Sequence, residues 1–258
     1  MEPILFEIQD QVGMITLNRP KVYNSFNREM ALALQAQLTA CEKNDDVRAI
    51  LITGAEKAFC AGQDLEEAIS PDGPGISKIL LEHFNPIITK LREIEKPVVC
   101  AVNGVAAGAG ANIAFACDIT IAAASASFIQ AFSKIGLIPD SGGTYLLPRM
   151  IGRQKASALM MLGEKVSADE AEKMGMIYKV YPNKSFAKEA LAIAKKLAQM
   201  PTVGLGLTKR ALNYSLNNDL NTQLAIEEQL QAAAAQTEDY QEGVQAFLEK
   251  REARFQGR

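Results

Sequence analysis

Apolar and polar positions alternate over residues 4–8 and again over Val12–Leu17, with the polar tripeptide Gln9-Asp10-Gln11 between them. A period of two on both sides of a short polar run predicts a β-hairpin, closed by Asn18-Arg19-Pro20. From residue 30 to 41 the apolar period becomes helical, and Asn27 stands three residues before Met30, where a side chain caps a helix start. Residues 48–53 (RAILIT) form a short apolar run stopped by Gly54, the signature of a buried strand. The Pro/Gly-rich stretch 70–75 predicts a variable, mobile surface. A long helix is expected over 76–94, ended before Pro97, with Pro86 early in it or at a kink. Residues 97–102 and 118–122 predict two more strands, joined by an Ala/Gly-rich crossover at 105–116. Strand, crossover and strand repeat through the first two-thirds of the chain, which is the pattern of a parallel α/β sheet.

After Pro139 the pattern turns helical: 151–163, 168–175, 185–200, 201–216, 220–235 and 240–251 each carry helical periodicity and an end signal, and only 177–181 reads as extended. The expected division is a core over residues 1–195 and a helical region over 196–258.

Composition changes this picture mainly by exclusion. The 258 residues are 48% hydrophobic and 22% charged, ordinary globular usage that needs no disulfide or metal staple. A net charge of −3 argues against a nucleic-acid partner. The single histidine, His83, rules out a multi-histidine metal site and disfavours a Ser-His-Asp triad. No metal and no cofactor are therefore expected. Four cysteines without CxxC spacing read as buried, reduced thiols of a cytoplasmic protein. Residues 1–20 lack a basic segment followed by a long apolar run, and no stretch reaches the ~18 uninterrupted apolar residues of a membrane helix.

Two Gly-rich junctions between strand and helix stand out: Phe59-Cys60-Ala61-Gly62-Gln63-Asp64-Leu65, and residues 103–112, NGVAAGAGAN. Small residues let a ligand approach the backbone, and a helix starting there offers free N–H groups. Two such junctions can converge on one carbonyl oxygen as a backbone oxyanion hole; tight strand–helix packing is the competing explanation. Dinucleotide binding through GxGxxG fails, because Gly108-Ala109-Gly110 lacks the third glycine and residues 127–130 hold no acid.

The order NRPxxxNSF (18–26), FCAGQDL, KPVVCAVNGVAAGAG (96–110), CDI (117–119), IGLIPDSGGTYLLPRMIG (135–152) and SADEAEKMGMI (167–177) resembles the enoyl-CoA hydratase/isomerase (crotonase) superfamily over essentially the whole chain. The resemblance implies an α/β fold with a ββα spiral core, a C-terminal helical trimerisation region, acyl-CoA thioester substrates, and a homotrimer or a hexamer built as a dimer of trimers. By position, the two oxyanion donors fall on the backbone N–H groups of Gln63 and Ala109. Their flanks, Ala61, Gly62, Asp64, Gly108 and Gly110, become candidate binding residues, although Asp64 also suits a helix cap.

Hydration of an enoyl-CoA needs two carboxyls, one for the water and one for the C2 proton. In hydratases resembling this chain these are glutamates, and their positions here hold Asn112 and Phe132. An amide is no base, and a benzyl group moves no proton. Asp140 remains, either as an ordinary helix cap or as a lone base against apolar neighbours, with Phe132, Ile129 and Ile138 as candidates. Burial would raise its pKa and a helix N-terminus would lower it. A lone carboxylate suits a proton shuttle between C2 and C4 of a thioester, which needs no water. Within the superfamily, AGQDL, AFSKIGLIPDSGGT and DYQEGVQAFLEKR are most similar to the isomerases that convert ring-1,2-epoxyphenylacetyl-CoA to oxepin-CoA in phenylacetate degradation, a group that also shifts cis-3 to trans-2 double bonds. A hydratase with relocated carboxylates and a non-catalytic acyl-CoA binder stay open beside it.

His83, flanked by Glu82 and Phe84, reads as a partly exposed helix residue. In related dehalogenases a histidine base sits on this helix, but counting back from Lys96-Pro97 its place holds Asn85, which becomes a candidate pocket residue. Lys21 and Lys250 are candidate CoA contacts, with solvated surface charge as the alternative. Asp118 reads as structural.

Overall fold

The structure, a computed structural model, describes residues 2–258. The hairpin forms as expected: β1 (Ile4–Gln9) and β2 (Val12–Leu17) pair antiparallel, and Asp10 and Gln11 turn between them with φ of 51° and 63°. Asn27 caps α1 (Arg28–Lys43), its side chain accepting from Met30 N at 3.0 Å.

Three strand pairs follow. They are β3 (Ala49–Gly54) with β4 (Ala58–Cys60), β5 (Val98–Val102) with β6 (Val105–Ala107), and β7 (Ile119–Ala123) with β8 (Ser127–Ile129). The first strand of each pair joins one sheet, of order β1-β2-β3-β5-β7 plus a last strand at Lys179–Tyr181. The second joins another, of order β4-β6-β8 plus a last strand at Lys165–Ser167. Within each sheet these strands run parallel, except for the hairpin and the antiparallel last strand of the second sheet. Each repeat thus climbs one step in both sheets at once, a ββα spiral.

The sequence pattern showed the first strand of every pair and missed the second. The second strands have three residues each, too few to display a period of two. The crossover expected over 105–116 accordingly splits into β6 and a shorter helix.

Helices connect the steps. A short helix at Leu65–Ile69 is α2, and the long helix expected over 76–94 runs in three parts: α3 (Gly75–Lys78), a π-helical turn (Ile79–Phe84) and α4 (Asn85–Glu93). Pro86 lies just after the π turn, where its missing N–H takes nothing from an α-helical ladder. Then come α5 (Ala109–Ala116), α6 (Gly143–Ile151), α7 (Arg153–Leu162), α8 (Ala168–Met174), α9 (Phe186–Ala198), α10 (Thr202–Ser215), α11 (Leu220–Ala234) and α12 (Glu238–Glu249). The strand Lys165–Ser167 falls in the stretch after Pro139 that reads as helical except for 177–181. Residues 195 and 196, where core and helical region were expected to divide, both lie inside α9.

The core packs between the sheets and helices, with Phe26, Phe59, Phe84 and Phe128 fully enclosed. Two buried polar anchors tie distant segments to it. Arg48 donates to Thr202 Oγ1, Met200 O and Phe255 O, fastening the C-terminal region to β3. Lys209 Nζ lies 2.8 Å from Asp118 Oδ2, which also accepts from Val98 N, so Asp118 is structural as expected. All four cysteines are buried and free; burial pushes the Cys60 thiol up to about 12. No helix among the described residues is long and apolar enough to cross a membrane.

Candidate active site

The two Gly-rich junctions meet. After β4 the chain turns at Gly62, whose φ of 95° disfavours any side chain. A Cβ at Gly62 would also lie 3.0 Å from Ala107 O and 3.4 Å from Ala109 N. The contact between Gly62 and the start of α5 is therefore backbone against backbone. Around Gln63 the chain is pinned by Phe26, whose N donates to Gly62 O and whose O accepts from Asp64 N. This leaves Gln63 N–H aimed away from that pairing. Ala109, the first residue of α5, has an N–H that precedes the helical ladder. Among the described residues, neither N–H donates to a protein acceptor.

Both groups line a cavity of about 200 Å³ together with Ala61, Gly62, Gly108, Phe132 and Asp140. Gly108 carries a φ of 53°, and a Cβ there would touch the Phe132 ring at 3.6 Å. The far wall is apolar: Leu65, Ile76, Ile79, Leu80 and Phe84 come from α2, α3 and the π turn. The sequence reading missed this wall, because its residues carry the same pattern as any helix packed on a core. Lys134 also reaches the cavity, beside Ile135 and Leu137.

Asp140 is the only carboxylate lining the cavity among the described residues. Its side chain does not cap a helix. The residue before α6 is Gly142, and the N–H of Gly143 takes the main-chain oxygen of Asp140 at 2.8 Å. The carboxylate instead accepts from Ser141 Oγ at 2.7 Å. Burial raises its pKa above the ordinary carboxyl value, and the serine hydroxyl offsets part of that rise. Of the influences on this carboxyl, desolvation is the largest. Of its expected apolar neighbours, Phe132 lines the same cavity, whereas Ile129 and Ile138 lie outside its lining, Ile138 being 80% exposed; Leu137 lines the cavity instead.

Six other candidate residues lie outside the cavity lining. Asn112 is fully buried; its Nδ2 donates to Asp140 O at 2.8 Å, and its Oδ1 accepts from Gln130 Nε2 at 2.8 Å. Gly110 is a packing glycine, since a Cβ there would fall 2.4 Å from Cys60 O. Asp64 caps α2 through Glu66 N and pairs with Arg19 at 2.9 Å. Asn85 is exposed, Lys21 stands on an exposed turn, and Lys250 ends α12 with a φ of 55°. His83 overturns its reading as partly exposed: it is fully buried, and among the described residues neither ring nitrogen has a partner. His83 lies on the buried face of the π turn with Ile79 and Phe84.

Residues 7–258 match the family model described as enoyl-CoA hydratase/isomerase. The chain belongs to the enoyl-CoA hydratase/isomerase family. Its relatives in the family carry both kinds of name. The 1,2-epoxyphenylacetyl-CoA isomerase of Escherichia coli K12 is 48% identical, covering 100% of both chains. The 2,3-dehydroadipyl-CoA hydratase of the same organism is 34% identical, again over 100% of both. The crystal structure of enoyl-CoA hydratase from Bacillus anthracis superposes with a TM-score of 0.92 at 34% identity, covering 99% of this chain and 100% of that one. The crotonase fold expected from the sequence is therefore present.

Proposed function

We propose that the protein is an acyl-CoA isomerase that works by proton transfer through Asp140. Its substrates are 2-(1,2-epoxy-1,2-dihydrophenyl)acetyl-CoA, converted to oxepin-CoA, cis-3-enoyl-CoA thioesters, converted to trans-2, or both. The observation that carries this reading is the single carboxylate in a cavity lined by two unused backbone donors, Gln63 N–H and Ala109 N–H.

The thioester oxygen accepts from those two N–H groups, which stabilise the enolate as charge develops on it. Loss of one such donor typically costs ~3–4 kcal/mol of barrier. In the double-bond shift, Asp140 takes a proton from C2, the dienolate spreads to C4, and the same carboxyl returns the proton there. Atoms balance without water. The raised pKa of Asp140 favours both halves, since one group must accept and then donate. In the epoxide, polarisation of the carbonyl and a proton held at Asp140 assist ring opening and expansion.

The alternative, hydration, requires a second carboxyl to hold water. Phe132 presents a ring to the cavity, and Asn112 is committed to protein partners. The 48% identity to an isomerase supports the same choice. No metal and no cofactor enter the reaction, coenzyme A being part of the substrate. Lys21 and Lys250 are proposed to meet the CoA phosphates.

A homotrimer or dimer of trimers completes the reading. Helix α11 buries none of its residues within this chain although it carries Leu220 and Leu224, and Phe247 of α12 is 82% exposed. The four free, buried cysteines are in keeping with a reducing, cytoplasmic setting.

The test is purified protein with crotonyl-CoA, a cis-3-enoyl-CoA and ring-epoxyphenylacetyl-CoA, repeated with Asp140→Asn. Turnover of either of the latter two that disappears in the variant is expected. Rapid crotonyl-CoA hydration surviving the substitution would sink the reading, and turnover of none would favour a binding role.

A further inference from the structure

A buried chain of side-chain amides reaches Asp140 from behind. Gln130, 3% exposed, follows β8; its Nε2 donates to Asn112 Oδ1, and Asn112 Nδ2 donates to the main-chain oxygen of Asp140, each at 2.8 Å. That oxygen also accepts from Gly143 N at 2.8 Å. The Asn112 amide fills the space a side chain at position 143 would need: a Cβ on Gly143 would lie 2.4 Å from Asn112 Nδ2. The turn between these anchors is conformationally demanding, with φ of 50° at Ser141 and 74° at Gly142.

From this geometry we infer that Asn112 and Gln130 are positioning residues: an amide bracket that holds the Asp140–Gly142 turn so that the carboxyl faces the cavity. The inference rests on Asp140 being the proton carrier. Asparagine suits the task better than a carboxylate. Its Nδ2 donates to a carbonyl while its Oδ1 accepts from Gln130, and it places no negative charge behind Asp140. The same substitution that removes a base from position 112 thus becomes the support of the base at 140. No charged side chain contributes to the raised pKa of Asp140; Lys134 is the other charged group along the cavity.

The experiment compares wild type with Asn112→Ala, Asn112→Asp, Gln130→Glu and Asp140→Asn, using a cis-3-enoyl-CoA substrate. Removing the bracket lets Asp140 drift from the reacting carbon. A misplacement of about 1 Å can cost about 10²-fold in rate. Asn112→Ala is therefore expected to lose about that factor in kcat, with KM nearly unchanged and a displaced pH midpoint. Asn112→Asp removes the donor and adds charge, so its pH midpoint moves upward. Gln130→Glu keeps the shape, loses the donor to Asn112 and adds a buried negative charge one residue further from Asp140 than Asn112→Asp does, so its kcat falls between Asn112→Ala and wild type and its pH midpoint moves upward by less than that of Asn112→Asp. Binding of a saturated acyl-CoA, followed calorimetrically, separates a displaced carboxyl from a collapsed pocket. If Asn112→Ala does not fold, Gln130→Glu carries the test. Wild-type kcat and pH profile in the folded bracket variants, with Asp140→Asn inactive, overturn the bracket alone. Full activity in Asp140→Asn overturns the function proposed for the site, and the bracket's catalytic role with it.

Discussion

Ser141 Oγ donates to Asp140 Oδ1 over 2.7 Å, from a backbone whose φ of 50° a serine seldom adopts. Such a conformation costs a non-glycine residue roughly 1–3 kcal/mol and persists only where its surroundings impose it. Its effect here is to bring a buried hydroxyl onto the one carboxylate of the cavity. Ser141→Ala keeps the turn and removes the bond. Because that bond pulls the Asp140 pKa down, its loss is expected to move the acid limb of the pH–kcat profile upward, so that activity falls further at pH 6 than at pH 8. A midpoint that stays put or moves down would refute the assignment.

The same carboxyl is expected to be costly for stability. Its folded pKa lies above the ordinary 3.8. By linkage, a raised carboxyl contributes its full stability below the unfolded value and loses it as pH rises through the folded value. Asp140→Asn should therefore be inactive yet more stable than wild type at neutral pH, with the advantage shrinking as pH falls toward 4. Chemical denaturation at pH 7 and pH 5 measures this. A variant less stable at both values would count against desolvation as the cause.

Much of this site is legible in the sequence because backbone demands leave compositional marks. Gly62 and Gly108 are required by positive φ, and Gly110 by the closeness of Cys60, so the two junctions show themselves as glycine-rich runs. Ile76, Ile79 and Leu80 leave no such mark, since a helix face packed on substrate has the same period as one packed on a core. Asn112 was recognisable as the replacement of a carboxylate, but its partners were not, because Gln130 and Asp140 lie 18 and 28 residues away in sequence. The burial of His83 is not legible in the sequence, because a titratable side chain flanked by Glu82 has the composition of an exposed helix face.

Gly62 provides a test of the backbone hole. A methyl group at position 62 would need the φ of 95° and would sit 3.0 Å from Ala107 O. The two junctions must then separate, which moves Gln63 N–H and Ala109 N–H apart. Gly62→Ala is expected to lower kcat by about 10²–10³-fold, the range for losing one oxyanion donor. A drop confined to KM would mean that the junction binds thioester without stabilising the enolate.

His83 supplies a prediction about the cavity wall. Its imidazole is buried on the π turn, and neither nitrogen has a partner among the described residues. Burying an unpaired polar group costs about 1–3 kcal/mol on mutational scales. Leucine has similar bulk and no such cost, so His83→Leu should stabilise the protein by roughly that amount at pH 7. Burial also lowers the folded pKa below the ordinary 6.5; Glu67 and Glu82 oppose that shift, while Arg28 and Lys78 add to it. A depressed histidine contributes its stability above the unfolded value and loses it as pH falls, because the unfolded chain takes a proton that the folded one refuses. The gap between His83→Leu and wild type should therefore widen as pH drops from 7 to 5. Thermal denaturation across that window measures it, and a gap that is constant, or that closes toward acid, would show that the imidazole finds a proton acceptor in solution.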